Sequence, residues 1–240
     1  MFPVSDNRAS RHVPVTTWLI VALNVVVFLF ELQLSRRGLD RFMLTWGMIP
    51  QNVLTAVSHP FAPGASHVFL TLLTSQFIHG GWLHIIGNML FLLVFGPAVE
   101  DRLGSLVFGG FYLLCGVIAA AVQIFALSPF LGGQFEPNIG ASGAIAGILG
   151  AYIVLYPLRW ITVIVPIFII PLPVTLPAFV LIGWWFIQQL FYGTITLSPM
   201  AANSGGVAFW AHIGGFVAGM LMLLPVALMR QRYIDIPNSR

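Results

Sequence analysis

The sequence contains very few charged residues and no lysine. Charged residues make up 7% of the 240 residues and apolar residues 58%, and all ten basic residues are arginines. A soluble domain carries roughly 25% charged residues, so this chain has too few charges to cover a water-facing surface. Most of its outer surface must therefore face lipid, which predicts a polytopic membrane protein.

Cysteine and dense basic segments are also scarce. Cys115 is the one cysteine, so no internal disulfide can form, and the cysteine count does not indicate a redox compartment. The formal net charge of +3 comes from scattered arginines, which in a membrane protein are typical of cytoplasmic loops. Nucleic acid is therefore not expected as a partner.

Six apolar segments are candidates for spanning helices, each of which needs about 20 mostly apolar residues. They are residues 15–34, 82–99, 105–127, 142–156, 174–192 and 207–229. The apolar stretch 160–172 is interpreted as a connection or a kinked lead-in, because Pro166 and Pro171 break it and Pro173 follows directly. The sequence therefore predicts an all-α, six-transmembrane-helix bundle over residues 15–229, with cytoplasmic tails at residues 1–14 and 230–240.

The distribution of arginine predicts the orientation. With the N-terminus inside, seven arginines fall on inner segments and three on the outer side, all three in the long first loop, residues 35–81. Cytoplasmic loops carry an excess of arginine, so both termini are expected to be cytoplasmic. The apolar character of the first loop predicts that it lies partly in the membrane interface. No cleavable signal or transit pattern is evident, and we expect the inner (cytoplasmic) membrane of a bacterium.

Polar residues within spans are costly, so each is a candidate for function. The predicted spans contain the following: Asn24, His84, Asn88, Gln123, Ser142, Gln188, Gln189 and His212.

Ser142 lies between Gly140 and Gly143 at the predicted start of the fourth helix. Glycines allow a tight turn and a close approach of other groups. A helix N-terminus offers unpaired N–H groups and a partial positive charge, and both favour an oxyanion. A serine that caps a helix is an equally ordinary explanation of this motif taken alone. The preceding loop, residues 128–141, is a candidate wall of a watery cavity.

His212 lies on a helical face that is otherwise lined by small residues: Ala208, Gly215 and Gly219. The fourth helix offers a matching row of glycines: Gly143, Gly147 and Gly150. Small residues let two helices approach closely, which would bring the hydroxyl of Ser142 within hydrogen-bond reach of the imidazole. A neutral imidazole can then act as the base for the serine. Neither span contains a carboxylate, so the sequence predicts a dyad rather than a triad, with His212 oriented by packing.

His84 and Asn88 lie four residues apart and share a helical face. Both can donate toward one point, as an oxyanion hole requires, although polar packing between helices would explain the pair taken alone. A zinc site is disfavoured, because His79 and His84 are five residues apart and no cysteine or carboxylate joins them. We therefore expect no metal and no cofactor.

These motifs resemble those of the rhomboid family of intramembrane serine proteases. The similar motifs are Gly-x-Ser-Gly at 140–143, Ala-His-x-Gly-Gly at 211–215, His-x-x-x-Asn at 84–88, and the segments 79–84 and 98–104. Their order and spacing agree with the family from about residue 71 to residue 224.

The resemblance implies a six-helix bundle with a water-filled cavity open to the outside. It implies Ser142 as the nucleophile, His212 as the general base, and an oxyanion hole formed by His84, Asn88 and the backbone N–H of Ser142. It further implies structural roles for Glu100 and Arg102. The substrates would be single-span membrane proteins, cut in or near the bilayer.

Two departures from the family pattern affect the site. Some rhomboids carry an aromatic residue four positions after the serine, which stacks on the histidine, but this chain has Ala146 there. The orientation of His212 must therefore come from elsewhere. A Trp-Arg pair found in the first loop of some members is also absent, and the corresponding residues are 69–71, Phe-Leu-Thr.

Two other functions compete with a serine endopeptidase. A catalytically inactive rhomboid-like factor that binds membrane proteins for quality control would usually lack the serine or the histidine, and this chain has both. A channel or transporter would carry paired charged groups near the midplane or two related halves with broken helices, and neither is evident. The substrate and the oligomeric state stay open.

Overall fold

The computed structural model describes residues 2–7, 12–127, 136–167, 170–197 and 207–234, which are mostly helical. The helices are α1 (Val15–Glu31), α2 (Arg36–Trp46), α3 (Pro50–Ser58), α4 (Ala65–Thr74), α5 (Trp82–Leu103), α6 (Ser105–Leu127), α7 (Ser142–Leu155), α8 (Ala178–Thr196) and α9 (Phe209–Ile234), with a 3₁₀ turn at Ser75–Phe77. The strands are β1 (Phe2–Asp6), β2 (Trp160–Ile167) and β3 (Ile170–Pro177).

Within the described residues, four helices are long and apolar enough to cross a membrane, namely α5, α6, α8 and α9. The chain is therefore a multi-pass membrane protein. The other two predicted spans correspond to α1 and α7, which are apolar but shorter, at 17 and 14 residues. The count of six spans stays a prediction. Residues Gly143 to Tyr152 of α7 are all buried, so the protein itself encloses this short helix.

The close approach of α7 and α9 depends on glycine. A Cβ atom at Gly215 would collide with the carbonyl oxygen of Gly143, and one at Gly219 would collide with that of Gly147. Gly150 has the same relation to the carbonyl oxygen of Phe216. The predicted small-residue contact between these helices is thus present, and it sets the distance between the two helices that carry Ser142 and His212.

Glu100 joins the ends of three helices. Its carboxylate is buried near the end of α5 and accepts hydrogen bonds from the backbone N–H of Thr16 (2.9 Å) and of Thr17 (2.8 Å) at the start of α1. It also accepts from the hydroxyls of Thr17 (2.7 Å) and of Ser105 in α6 (2.6 Å). Nearby, Nη2 of Arg102 donates to the carbonyl of Val226 in α9 at 3.4 Å. These contacts agree with the structural roles that the family resemblance implies.

The all-α prediction needs one correction, which concerns the stretch 160–172. This stretch and the residues after it form an antiparallel hairpin of β2 and β3, and β1 pairs antiparallel with β2, so the sheet order is β1-β2-β3. Repeated prolines prevent a helix here, whereas β-branched residues favour a strand. The prolines fall largely on β3, an edge strand, where a missing N–H is tolerated. The helix α8 consequently begins at Ala178 rather than at residue 174.

The N-terminal segment, expected to be a polar tail, contributes β1 to this sheet and packs against α5. Asp6 at the end of β1 accepts hydrogen bonds from Nη1 of Arg159 (2.7 Å) and from the hydroxyl of Tyr152 (2.8 Å). The guanidinium of Arg159 also lies 3.8 Å from the ring centre of Tyr156. Burial alone would lower the pKa of Arg159, but the hydrogen bond and the negative charge of Asp6 raise it above its ordinary value.

Candidate active site

Ser142 is the first residue of α7, and His212 lies in the first turn of α9. The Nε2 atom of His212 and the Oγ atom of Ser142 are 2.8 Å apart, which is hydrogen-bond distance. The residue at the cap position of α7 is Ala141, and the hydroxyl of Ser142 meets the imidazole. The structure thus brings the two residues together in the way that the sequence predicted, and the helix-cap explanation of Ser142 does not apply.

The other ring nitrogen of His212 meets a residue that the sequence did not place in the site. Nδ1 of His212 lies 2.8 Å from Oε1 of Gln189, a buried residue of α8. Trp185, one turn earlier on α8, lies against the imidazole with ring centres 5.9 Å apart and planes inclined by 38°. His212 is therefore oriented by α8 and not by the position of Ala146. The available signal was that Trp185 and Gln189 are spaced i, i+4 in an apolar span.

His84 and Asn88 both face the loop that leads into Ser142. A Cβ atom built on Gly140 would lie 2.6 Å from Nε2 of His84 and 3.7 Å from Nδ2 of Asn88. Gly140 has a φ angle of +119°, a conformation that also favours glycine. The backbone N–H of Gly80 donates to Nδ1 of His84 at 3.4 Å, so Nε2 carries the proton and presents a donor to this loop.

Asn88 also contacts His79, which lies just before α5. Nδ2 of Asn88 donates to Nε2 of His79 at 2.9 Å, and the backbone N–H of His79 donates to Oε1 of Glu31 at 3.2 Å. Burial, together with the nearby His84, lowers the pKa of His79 to about 4, which suits an imidazole nitrogen that accepts a hydrogen bond. Among the described residues there is no cluster of three or more potential metal ligands.

The first loop supports the segment before Ser142. The backbone of Met48 exchanges two hydrogen bonds with that of Asn138, at 3.1 and 2.7 Å, and Gly140 N–H donates to the carbonyl of Ser75 at 2.8 Å. The loop 128–141 was predicted to form the wall of a watery cavity. Residues 128–135 of this loop lie outside the described residues, so the structure describes only residues 136–141.

The apolar helices and the hydrogen-bonded serine and histidine that they carry define a multi-pass membrane protein with a Ser-His pair. Residues 66–228 match the model of the Rhomboid domain. The chain therefore belongs to the rhomboid family.

Known proteins of three organisms are similar to this chain. The chain is 34% identical over 138 residues to Rhomboid protease GluP of Bacillus subtilis, and the aligned region covers 58% of this chain and 24% of the relative. It is 30% identical over 168 residues to RHOMBOID-like protein 4 of Arabidopsis thaliana, which covers 68% and 35%. It is 25% identical over 203 residues to Rhomboid protein 1, mitochondrial, of Saccharomyces cerevisiae, which covers 84% and 50%. The chain thus spans half or less of the length of each of these relatives.

Proposed function

We propose that this protein is an intramembrane serine endopeptidase that hydrolyses peptide bonds in or near the transmembrane segments of single-span membrane proteins. The observation that carries the proposal is the 2.8 Å contact between Nε2 of His212 and Oγ of Ser142 at the start of an enclosed helix. A serine that pairs with a neutral imidazole is an activated nucleophile. The name of the Bacillus relative, a rhomboid protease, supports the same activity.

In the proposed reaction, Oγ of Ser142 attacks the scissile carbonyl carbon and its proton passes to Nε2 of His212. The imidazolium then gives this proton to the leaving amine, which leaves an acyl-enzyme. Water attacks the ester carbon, again losing a proton to Nε2, and the acid product departs as Ser142 regains its proton. No metal or cofactor is required for these steps.

The oxyanion hole is proposed to consist of Nε2–H of His84, Nδ2–H of Asn88 and the backbone N–H of Ser142. The side chains of His84 and Asn88 both approach Gly140, two residues before the nucleophile. Such donors stabilise the negative charge that develops on the carbonyl oxygen in the transition state. The N-terminal end of α7 adds its partial positive charge at the same point.

The location proposed is the inner (cytoplasmic) membrane of a bacterium, with both termini in the cytoplasm. The distribution of arginine supports this orientation. It places the start of α7, and with it Ser142, toward the outer side of the bilayer. Reporter fusions to each terminus test the orientation. A reporter that is active only in the cytoplasm is expected to be active when it is fused to either terminus.

The activity is tested with purified protein in liposomes and a panel of single-span substrates. Cleavage is expected from the wild type and not from Ser142→Ala. Labelling of Ser142 by a fluorophosphonate probe is a second measurement that needs no substrate. A wild-type protein that binds such substrates but neither cleaves them nor reacts with the probe would instead be an inactive rhomboid-like binding factor.

A further inference from the structure

His212 makes hydrogen bonds through both ring nitrogens, one toward Ser142 and one toward Gln189. Each contact is 2.8 Å long. In a Ser-His-Asp triad, the aspartate carboxylate accepts a hydrogen bond from Nδ1 of the histidine and so holds the imidazole in the correct tautomer and orientation. Here the far nitrogen meets a neutral amide from a third helix. We infer that Gln189 is a positioning residue that holds His212 with its proton on Nδ1, an inference that rests on the proposed endopeptidase function.

The orientation of the Gln189 amide is determined by a second contact. Its Nε2 donates to the carbonyl oxygen of Trp185, one turn earlier on α8, at 3.3 Å. The amide nitrogen is thereby directed along α8, so the atom that meets His212 is Oε1. An amide oxygen can only accept a hydrogen bond, so Nδ1 of His212 must carry the proton.

The tautomer decides whether His212 can act as a base. With the proton on Nδ1, Nε2 presents a lone pair to the hydroxyl of Ser142 and can take its proton. With the proton on Nε2, the imidazole could only donate to Oγ, and the lone pair of Nδ1 would face the lone pairs of Oε1. Gln189 therefore favours the one arrangement in which the pair can react.

The burial of Gln189 agrees with such a role. Gln189 is only 7% exposed, while Trp184, Ile187 and Phe191 on the same helix are more than half exposed. A buried amide is costly unless it is hydrogen-bonded, and this amide is bonded at both ends. A leucine at this position would pack in the same place without the cost, so packing alone does not account for a glutamine.

Two contacts near Gln189 and His212 fix the position of α8 relative to α9. Nε1 of Trp210 donates to the carbonyl of Gly193 at 3.0 Å, one turn after Gln189. A Cβ atom on Gly193 would lie 3.2 Å from Cδ1 of Ile213. The two helices therefore approach closely beside Gln189 and His212, which allows a side chain of α8 to reach the far side of the imidazole.

The inference is tested first in the wild-type protein by nitrogen NMR with ¹⁵N-labelled histidine. His212 is expected to show a protonated Nδ1 and an unprotonated Nε2, and the His212→Gln variant assigns its signals. An unprotonated Nδ1 at neutral pH would overturn the inference. This measurement needs neither a variant of Gln189 nor a substrate, so it stands even if no proteolysis is found.

The second test compares two substitutions on the same helix. Gln189→Met keeps the length of the side chain and removes the amide acceptor, whereas Gln188→Met makes the same change at the neighbouring residue. Loss of one hydrogen bond in the reacting arrangement is expected to lower kcat about tenfold, with KM within about twofold of wild type. Gln188→Met is expected to keep both constants near wild type.

A substitution that restores the hydrogen-bond acceptor at residue 189 separates a positioning role of Gln189 from a packing role. Gln189→Glu restores an acceptor to Nδ1 in either protonation state of its carboxyl group, so it is expected to recover most of the lost kcat and the protonated Nδ1 signal. Wild-type kcat in Gln189→Met would overturn the inference while leaving the proposed function intact. If the wild-type protein were inactive but His212 showed the expected tautomer, the proposed endopeptidase function would be wrong. The inference that Gln189 holds the proton on Nδ1 of His212 would still stand.

Discussion

Asn88 donates a hydrogen bond from Nδ2 to Nε2 of His79 over 2.9 Å. The amide nitrogen carries two hydrogens, so one can bond His79 while the other donates to an oxyanion near Gly140. Asn88 therefore has a structural contact as well as the proposed catalytic one, and the two contributions can be separated by experiment.

Asn88→Ala is expected to lower kcat more than it raises KM. Losing one oxyanion donor typically costs ~10²–10³ in kcat, and here we expect about 100-fold, because His84 and the backbone N–H of Ser142 can still donate. His79→Leu is the matched control, since it also breaks the Asn88–His79 hydrogen bond. Both variants are expected to lose about 1 kcal/mol of stability. An equal fall of kcat in the two variants would make Asn88 a structural residue only.

Ser142→Ala and His212→Ala are each expected to abolish proteolysis without unfolding the protein. Substitutions of residues that act as a unit do not have additive effects on the rate. The double variant is therefore expected to show the same background rate as either single variant. The measurement is single-turnover cleavage in liposomes, with the thermal midpoint as a check of folding. Substantial cleavage by purified Ser142→Ala protein would contradict the assignment of the nucleophile.

Arg159→Ala is expected to destabilise the protein and leave the activity of the folded fraction near wild type. The substitution leaves the carboxylate of Asp6 buried without its cation, and breaking a buried pair in this way costs about 3–5 kcal/mol. Denaturant titration of Arg159→Ala, Asp6→Asn and the double variant measures the coupling, and the double variant is expected to lose less than the sum. The control is Arg36→Ala, at an exposed position of α2. An effect of Arg159→Ala no larger than that of the control would show that the Asp6 contact contributes nothing.

Chelators are expected to leave proteolysis unchanged. The proposed steps use a serine, an imidazole and hydrogen-bond donors, and none requires a Lewis acid. The assay compares initial rates before and after dialysis against EDTA. If activity disappeared and returned on addition of zinc, a metal mechanism would replace the serine mechanism.

Much of the candidate site was predictable because its residues stand in short motifs. Ser142 and His212 each lie among glycines that allow two helices to approach closely, and spacing alone predicts which face of each helix meets the other. The pairing of His84 with Asn88 follows from their i, i+4 spacing. Gln189 was recognised as a costly polar residue in a span, but its partner could not be inferred, because that depends on the rotation of α8 about its axis.

The sequence by itself determined that the chain is a membrane protein, because hydropathy and charge content are properties of composition and do not depend on how the elements pack. It also determined where the apolar helices begin within a few residues. Only the tertiary structure decided that strands β2 and β3 pair with each other, because an apolar run with prolines has no clear period. Strand β1 pairs with β2 across more than 150 residues of chain, and such long-range pairing leaves no local signal. The same reason applies to the contact of Gln189 with His212, which exists only once α8 has packed against α9.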